Sequence, residues 1–195
     1  MSKMTIALGI WSGVEELDFV GPYEVLTAWS NAADGRDVRV LAVAEDADLV
    51  RCAHGLQVLP DATWADVGRV DVLLLPGGGT RALTSDERML GRLRTLADGG
   101  TLMTSVCTGA LVLAAAGLLE GRQATTHWGS LDTLRGYENV EVLPDERFVD
   151  TGSVITAAGV SAGIDMALHL VARLDSVERA REVRRYIQYD PKPPV

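Results

Sequence analysis

Short apolar segments alternate with amphipathic segments along most of the chain. Nearly continuous apolar runs predict strands at residues 4–11, 37–44, 70–75, 101–106 and 154–156. Helical spacing of apolar residues predicts helices at 22–30, 86–97, 109–116, 161–174 and 176–188. Strands that are apolar on both faces and separated by amphipathic helices indicate a parallel sheet covered on both sides. We therefore expect one doubly wound α/β domain over residues 1–195.

Three local signals refine these boundaries. Pro22 is predicted to open the first helix, because proline is well tolerated at the first helical position. Asp175 and Glu178 have the spacing of a capping arrangement for the last helix. Two short apolar stretches, 49–51 and 56–59, flank a His-Gly pair and predict a small hairpin.

Composition and charge exclude several classes of function. The 195 residues are 47% hydrophobic, which is enough for one sizeable core. The net charge is −9 and the arginines of 179–185 are interleaved with acids, so no basic face for nucleic acid is expected. The apolar run 109–119 is shorter than the roughly 20 residues that cross a bilayer. A soluble, cytoplasmic protein is predicted, with Cys52 and Cys107 as free thiols.

The strongest chemical signal is Cys107, which follows a buried strand and precedes a helix of small and apolar residues. The cysteine must lie in the turn, and the adjacent Gly109-Ala110 pair permits a close backbone approach. Partial positive charge at the helix N-terminus favours thiolate, so a thiol pKa below the free value of about 8.5 is expected. This arrangement resembles the nucleophile elbow of hydrolases with sulfur in place of oxygen. The alternative is a small buried hydrophobic residue.

A glycine run, Gly77-Gly78-Gly79, follows the strand that ends near Leu75. Consecutive glycines leave backbone N–H groups able to approach a ligand and stabilise developing negative charge. The run matches neither a dinucleotide fingerprint nor a Walker loop. A tight strand-to-helix turn without any ligand is the alternative.

An acidic side chain, Asp18, stands among apolar residues shortly before the predicted helix start at Pro22. Burial of a carboxylate is costly unless it is hydrogen-bonded or paired. A protonated Asp18 would be able to donate to a neighbouring thiolate and act as its acid/base partner. The alternative is an acid that interacts only with the helix dipole. Glu15 and Glu16 are interpreted as solvated loop acids.

The three histidines give little support for a metal site. His54, His127 and His169 show no zinc spacing with one another or with the cysteines, so no metal is expected. His127 is expected either to line a pocket or to have its ring hydrogen-bonded in a purely structural role. Asp165 and His169, four apart on one helix, are interpreted as a structural pair.

In this order, these motifs resemble those of the DJ-1/PfpI superfamily over essentially the whole chain. Three stretches, 17–22, 105–128 and 159–165, resemble its isocyanide hydratase branch. The resemblance implies a flavodoxin-like fold, a homodimer, a small-molecule substrate and no organic cofactor or metal. It also implies that Cys107 is the nucleophile, that Asp18 is its acid/base partner and that Thr108 hydrogen-bonds beside the sulfur. Val160 is placed in the pocket wall, and the backbone at Gly78 and Gly79 is expected to face the substrate.

The expected reaction is hydration of an isocyanide to an N-substituted formamide through a covalent thioimidate. Two other functions stay open: a ligand-sensing module like the sensor domains of AraC-type regulators, and a thiol enzyme acting on reactive carbonyls. Thr108 stands where protease-like members carry a histidine, which argues against peptide hydrolysis. Asp18 stands where the human DJ-1 type carries glutamate. The hydratases also extend beyond the segment at 190–194.

Overall fold

The computed structural model describes residues 3–32 and 37–192. Eleven strands lie in the described ranges: β1 (Met4–Gly9), β2 (Val38–Ala44), β3 (Val50–Arg51), β4 (Gln57–Val58), β5 (Ala62–Thr63), β6 (Val72–Leu75), β7 (Leu102–Val106), β8 (Arg122–Ala124), β9 (Val140–Val142), β10 (Phe148–Asp150) and β11 (Val154–Ala157). The α-helices in the same ranges are α1 (Glu16–Ala32), α2 (Glu87–Asp98), α3 (Gly109–Ala115), α4 (Leu131–Arg135), α5 (Ala162–Leu174) and α6 (Val177–Tyr186).

Seven strands form one sheet in the order β10-β11-β7-β6-β1-β2-β5. All neighbours pair in parallel except β10 and β11, which are antiparallel. After β1 the chain first adds β2 and β5 on one side and then adds β6, β7 and β11 on the other. The strand order therefore reverses between β1 and β6. In sheets of this kind the ligand crevice lies beyond the carboxyl ends of the strands at that reversal. The carboxyl ends of β1, β6, β7 and β11 therefore frame the expected site.

Helices cover both faces of the sheet, as the apolar runs predict. One core cluster, with Trp29 and Leu26 at its centre, packs α1, α5 and α6 against the sheet. The other, with Leu73 and Leu113, lies beneath α2, α3 and α4. The strands β6 and β7 are buried along nearly their whole length, which is why their sequences show no polar alternation.

Most predicted strands and helices are confirmed within a few residues, including the antiparallel hairpin of β3 and β4. The predicted start of α1 is wrong, because the helix begins at Glu16 and Pro22 lies inside it. The capping prediction for α6 is also wrong: Ser176 is the N-cap, and its side chain accepts from the Arg179 N–H. In the described part of the chain, no helix combines the length and apolar character that a membrane crossing requires.

Candidate active site

Cys107 lies in the two-residue turn between β7 and α3, as the sequence predicts. Its φ of 58° is in the left-handed region, which non-glycine residues rarely adopt. The Cys107 N–H donates to the carbonyls of Ala157 and Ala158, at 3.2 and 3.0 Å, and the Thr126 hydroxyl donates to the Cys107 carbonyl at 2.7 Å. These bonds hold the strained backbone from both sides. Backbone strain of this kind occurs preferentially at functional sites.

Gly109 lets α3 start directly against the end of β6. A Cβ atom at this position would lie 2.1 Å from the Leu75 carbonyl oxygen and 2.6 Å from that of Pro76. Both contacts are with backbone, so no side-chain movement would relieve them. The glycine predicted to allow close approach is therefore required for the geometry of the elbow.

Asp18 is fully buried in the first turn of α1 and lies against the elbow. Its Oδ2 accepts from the Gly77 N–H at 2.8 Å, and its carboxyl forms a side-chain hydrogen bond with the Cys107 thiol. Oδ1 is buried and has no nitrogen or oxygen donor among the described residues. The carboxylate is therefore only partly satisfied, which favours its protonated form.

Burial raises the pKa of Asp18 from 3.8 to about 7. The hydrogen bond from Gly77 acts in the opposite direction, and the negative charge of Glu15 adds to the rise. A carboxyl group with a pKa near neutrality exchanges protons readily in both directions at physiological pH. The expected acid/base character of Asp18 thus has a physical basis in its surroundings.

The prediction of a low thiol pKa for Cys107 is wrong. Burial, together with the charge of Asp18, raises the thiol pKa to about 12. The Thr108 N–H at the start of α3 lowers the pKa, as the helix argument anticipated, and so does the Val160 N–H from the loop after β11, but together they do not outweigh desolvation. The resting pair is therefore a thiol beside a carboxyl that titrates near neutrality.

The glycine loop after β6 contacts the site chiefly through Gly77. A Cβ atom at Gly77 would lie 2.6 Å from both N and Oγ1 of Thr108 and 2.8 Å from Asp18 Oδ2. The Gly78 N–H donates to the Thr108 hydroxyl oxygen at 3.1 Å. The expectation of bare amides at Gly78 and Gly79 is therefore wrong, because the Gly78 N–H is bonded to Thr108 and the Gly79 N–H donates to the Gly13 carbonyl at 2.8 Å.

Val160 borders the sulfur from the loop after β11. Its φ of 44° is a marked outlier for a β-branched residue, and its N–H faces the Cys107 sulfur. The neighbouring Gly159 packs under the His127 ring, where a Cβ atom would lie 2.4 Å from Cδ2. His127 Nδ1 accepts from the Gly129 N–H at 3.2 Å, so this histidine has a structural role next to the site.

Glu15 and Glu16 are not the solvated loop acids that the sequence suggests. Both are partly buried, because the β3–β4 hairpin lies against them. Glu16 Oε1 accepts from the backbone N–H of His54 at 2.7 Å and of Leu56 at 3.3 Å. Burial raises the pKa of Glu16, but these backbone bonds and the His54 charge outweigh it and leave the pKa below its usual value. The sequence predicts the hairpin, but no local pattern indicates that it packs against Glu15 and Glu16, almost forty positions earlier.

The proposed pair of Asp165 and His169 does not form. His169 instead contacts Asp150 at 2.7 Å, while Asp165 bonds Arg147 and the hydroxyl of Tyr189. Asp150 and Asp165 thus belong to two separate hydrogen-bond networks, and neither Asp165–Arg147–Tyr189 nor Asp150–His169 includes Cys107. Asp165 and His169 lie four apart on α5 as predicted, but each side chain is bonded to residues outside this helix.

Comparison with known proteins identifies the family to which the chain belongs. The family model of the DJ-1/PfpI family matches residues 4–173. The isonitrile hydratase of Pseudomonas putida is 40% identical over 194 residues, covering 98% of this chain and 82% of the hydratase. A THiJ/PfpI family protein from Pseudomonas syringae has a crystal structure that superposes with a TM-score of 0.89 at 35% identity, covering 100% of this chain and 78% of the other. The HTH-type transcriptional regulator CdhR of Pseudomonas aeruginosa is 30% identical over 88% of this chain and 51% of the regulator.

Proposed function

The chain belongs to the DJ-1/PfpI family, and we propose that it hydrates isocyanides, R–N≡C, to N-substituted formamides. The observation that carries the proposal is the buried Asp18 carboxyl hydrogen-bonded to the Cys107 thiol. The likeness to the isonitrile hydratase of Pseudomonas putida supports the choice of substrate. The reaction needs a nucleophile and a proton carrier at the same carbon atom, and this pair supplies both.

In the first half-reaction, Asp18 accepts the proton of the Cys107 thiol as the sulfur attacks the terminal carbon of the isocyanide. The S–C bond forms, and the electron pair left on that carbon takes the proton back from Asp18. The product is a thioimidate, Cys107–S–CH=N–R, and Asp18 is again a carboxylate. The addition transfers one proton from sulfur to carbon and needs no external acid. A thiol with a high resting pKa is compatible with this route, because the base is already hydrogen-bonded to it.

In the second half-reaction, water adds to the thioimidate carbon while Asp18 takes a proton from the water. The substrate nitrogen gains that proton, giving the tetrahedral adduct Cys107–S–CH(OH)–NH–R. The C–S bond then breaks as the hydroxyl becomes the formamide carbonyl, and the sulfur leaves with the hydroxyl proton. Thiol and carboxylate are restored. One water molecule is consumed for each formamide released.

Thr108, Gly78 and Val160 are proposed to position substrate and water. Thr108 directly follows the nucleophile in sequence, and its hydroxyl accepts the N–H of the exposed Gly78 at 3.1 Å. This hydroxyl is therefore suited to hold the attacking water. The Val160 amide points at the sulfur, and its side chain would contact the substituent R. The Gly79 N–H already donates to the Gly13 carbonyl, so Gly79 is assigned a structural role only.

A direct assay separates this proposal from the other functions. The purified protein is incubated with a simple aliphatic isocyanide and formamide is followed, with methylglyoxal as a parallel substrate. Formamide formation that is lost in Cys107→Ala supports the hydratase. Consumption of methylglyoxal alone would favour a reactive-carbonyl enzyme. Inactivity towards both would move the assignment to a ligand sensor, the function suggested by the match to part of CdhR.

We also propose that the protein acts as a cytoplasmic homodimer, which the family resemblance implies. Large apolar side chains are exposed at the start of α1 and on the adjoining hairpin: Leu17 at 39%, Val20 at 37%, Leu56 at 46% and Leu59 at 68%. A second copy that covered this face would remove apolar surface from water. Sedimentation at micromolar concentration should give twice the 20.8 kDa of one chain. A particle of one chain would contradict this assembly.

A further inference from the structure

The loop between β11 and α5 carries a strained backbone to the Cys107 sulfur. Val160 has a φ of 44°, a costly conformation for a β-branched residue, and its N–H faces the sulfur. Such a conformation persists only where the surrounding structure holds it. The backbone supplies part of that hold, since the Gly163 N–H donates to the Val160 carbonyl at 3.3 Å. The Val160 side chain has no polar atom to add, so any further hold comes from its neighbours.

The next residue, Ser161, does not use its side chain as a serine at a helix start normally does. It is the N-cap of α5, yet within the described chain its hydroxyl makes no capping bond to the helix backbone. The Ser161 hydroxyl oxygen instead accepts from the guanidinium of Arg147, with 3.3 Å from Nη2 to Oγ. Arg147 directly precedes β10, so the loop is held from a different strand of the sheet.

Arg147 contacts both ends of the segment 158–161. At one end its carbonyl accepts from the Ala158 N–H at 2.9 Å, and the Ala158 carbonyl accepts from the Cys107 N–H at 3.0 Å. At the other end its guanidinium bonds Ser161 and forms an ion pair with Asp165 in the first turn of α5, with 3.0 Å from Nε to Oδ2. The strained residue therefore lies between two contacts made by the same arginine.

The carboxylate that pairs with Arg147 is itself oriented by the segment after α6. The Tyr189 hydroxyl donates to Asp165 Oδ1 at 3.1 Å, while Oδ2 accepts from Arg147. Tyr189 is fixed in turn, because the Arg184 Nε–H donates to its carbonyl at 2.9 Å. These bonds give the arginine a fixed partner on α5 and leave its guanidinium aimed at the loop.

We propose that Arg147 is a positioning residue of the active site, which holds the segment 158–161 so that the Val160 N–H meets the Cys107 sulfur. Arg147 acts only through the loop. The N–H has a task in the proposed reaction, because sulfur becomes negative as its proton departs and a fixed donor stabilises that charge. The effect of Arg147 on turnover rests on the proposed hydration, whereas its effect on the sulfur does not.

The exposure of the ion pair predicts a local effect. The side chain of Arg147 is 52% exposed and that of Asp165 is 25% exposed. An ion pair so open to water contributes little to the free energy of unfolding. Removing the guanidinium should therefore leave the chain folded and loosen the loop beside the sulfur.

The test measures how fast iodoacetamide alkylates Cys107 in the purified full chain at neutral pH, with the modified peptide identified by mass spectrometry. The variants are Arg147→Ala, Ser161→Ala and the two combined. Arg135→Ala is the matched control, since this arginine is 49% exposed and pairs with Asp132 within α4. Circular dichroism and urea unfolding establish that each variant is folded under the conditions of the assay.

We expect the alkylation rate to fall about two- to fivefold in Arg147→Ala, because losing one hydrogen bond to the thiolate lowers the reactive fraction. The rate should be unchanged in Arg135→Ala. Ser161→Ala should lower it as well, and should add nothing in the Arg147→Ala background, because the two side chains act through one contact.

An unchanged rate in Arg147→Ala overturns the proposal, and so does a faster one, which would show that the arginine only shields the sulfur. Additive effects of Arg147→Ala and Ser161→Ala also overturn it. If Arg147→Ala does not fold, Ser161→Ala decides alone, and an unchanged rate there is the contradicting result. Alkylation requires no isocyanide, so a wild type that fails to hydrate isocyanides refutes the proposed function and leaves this assignment standing.

Discussion

The Gly77 N–H donates to Asp18 Oδ2 at 2.8 Å, across 59 positions of sequence. This bond joins the turn after β6 to the first turn of α1, directly beneath Cys107. It is possible because residue 77 has no side chain: a Cβ atom would come within 2.6–2.8 Å of Thr108 and Asp18. The position of the proposed proton carrier therefore depends on a glycine outside the helix that carries it.

Replacing Gly77 with alanine should displace Asp18 and reduce isocyanide turnover strongly. The added methyl group meets backbone and buried polar atoms, so the unfolding free energy should fall by about 1–3 kcal/mol, typical of overpacking. Denaturant unfolding and turnover measure the two effects. Gly91→Ala is the matched control, because its Cβ would have its nearest neighbour, the Arg94 guanidinium, at 4.0 Å within helix α2. That variant should be stabilised by roughly 0.5–1 kcal/mol and keep full activity.

Asp18→Asn should change how stability depends on pH. The folded-state pKa of Asp18 is raised, so the stability contributed by its neutral form is present at low pH and lost as pH rises from about 4 through 7. A shift of about three pKa units corresponds to roughly 4 kcal/mol. The variant should therefore gain stability relative to wild type over that window, measured by urea unfolding at several pH values. A constant difference between the two proteins would show that Asp18 does not titrate there.

Thiolate absorbance should reveal no ionised Cys107 at neutral pH. The raised pKa, about 12, predicts that the wild-type minus Cys107→Ala difference spectrum stays flat until strongly alkaline pH. In Asp18→Asn the charge that helps to raise the pKa is gone, so the thiol should ionise at lower pH than in wild type. A difference signal that titrates below about 8.5 in the wild type would restore the thiolate predicted from the helix N-terminus.

The pH dependence of kcat/KM should report the ionisation of Asp18. The carboxylate form must take the thiol proton, so kcat/KM should rise with pH and reach half its plateau near pH 7. Glu15 raises the pKa of Asp18 through its charge, so Glu15→Gln should move this midpoint to lower pH. Glu24→Gln, an exposed acid further along α1, is the control and should leave the midpoint in place. An unshifted midpoint in Glu15→Gln would contradict the electrostatic coupling.

The position of Cys107 was predictable because its signal is local. Within a short stretch of sequence, a buried strand is followed by one cysteine and then by a helix of small residues. This succession requires a turn at the cysteine, whatever the rest of the chain does. The start of α1 was not predictable in this way. Glu16 bonds to a hairpin and Asp18 to Gly77, and these contacts stabilise a helical turn ahead of Pro22 that local sequence signals do not reveal.

The prediction of a low pKa for the Cys107 thiol was wrong for a related reason. The helix N-terminus is visible in sequence, and its effect on Cys107 is in the expected direction. Desolvation by the surrounding core and the charge of Asp18 come from elements that only the fold assembles. Likewise, nothing in the glycine run indicates that Gly13 accepts the amide of Gly79 while Thr108 accepts that of Gly78.

Formamide production from an aliphatic isocyanide by wild type, Cys107→Ala and Asp18→Asn tests the central claim most directly. Wild type should turn over, and Cys107→Ala should be inactive and form no covalent adduct in the mass spectrum. Asp18→Asn keeps the shape of the side chain but cannot carry the proton, so turnover should fall at least about 10²-fold. Full activity in Asp18→Asn, or an inactive wild type, would contradict the account.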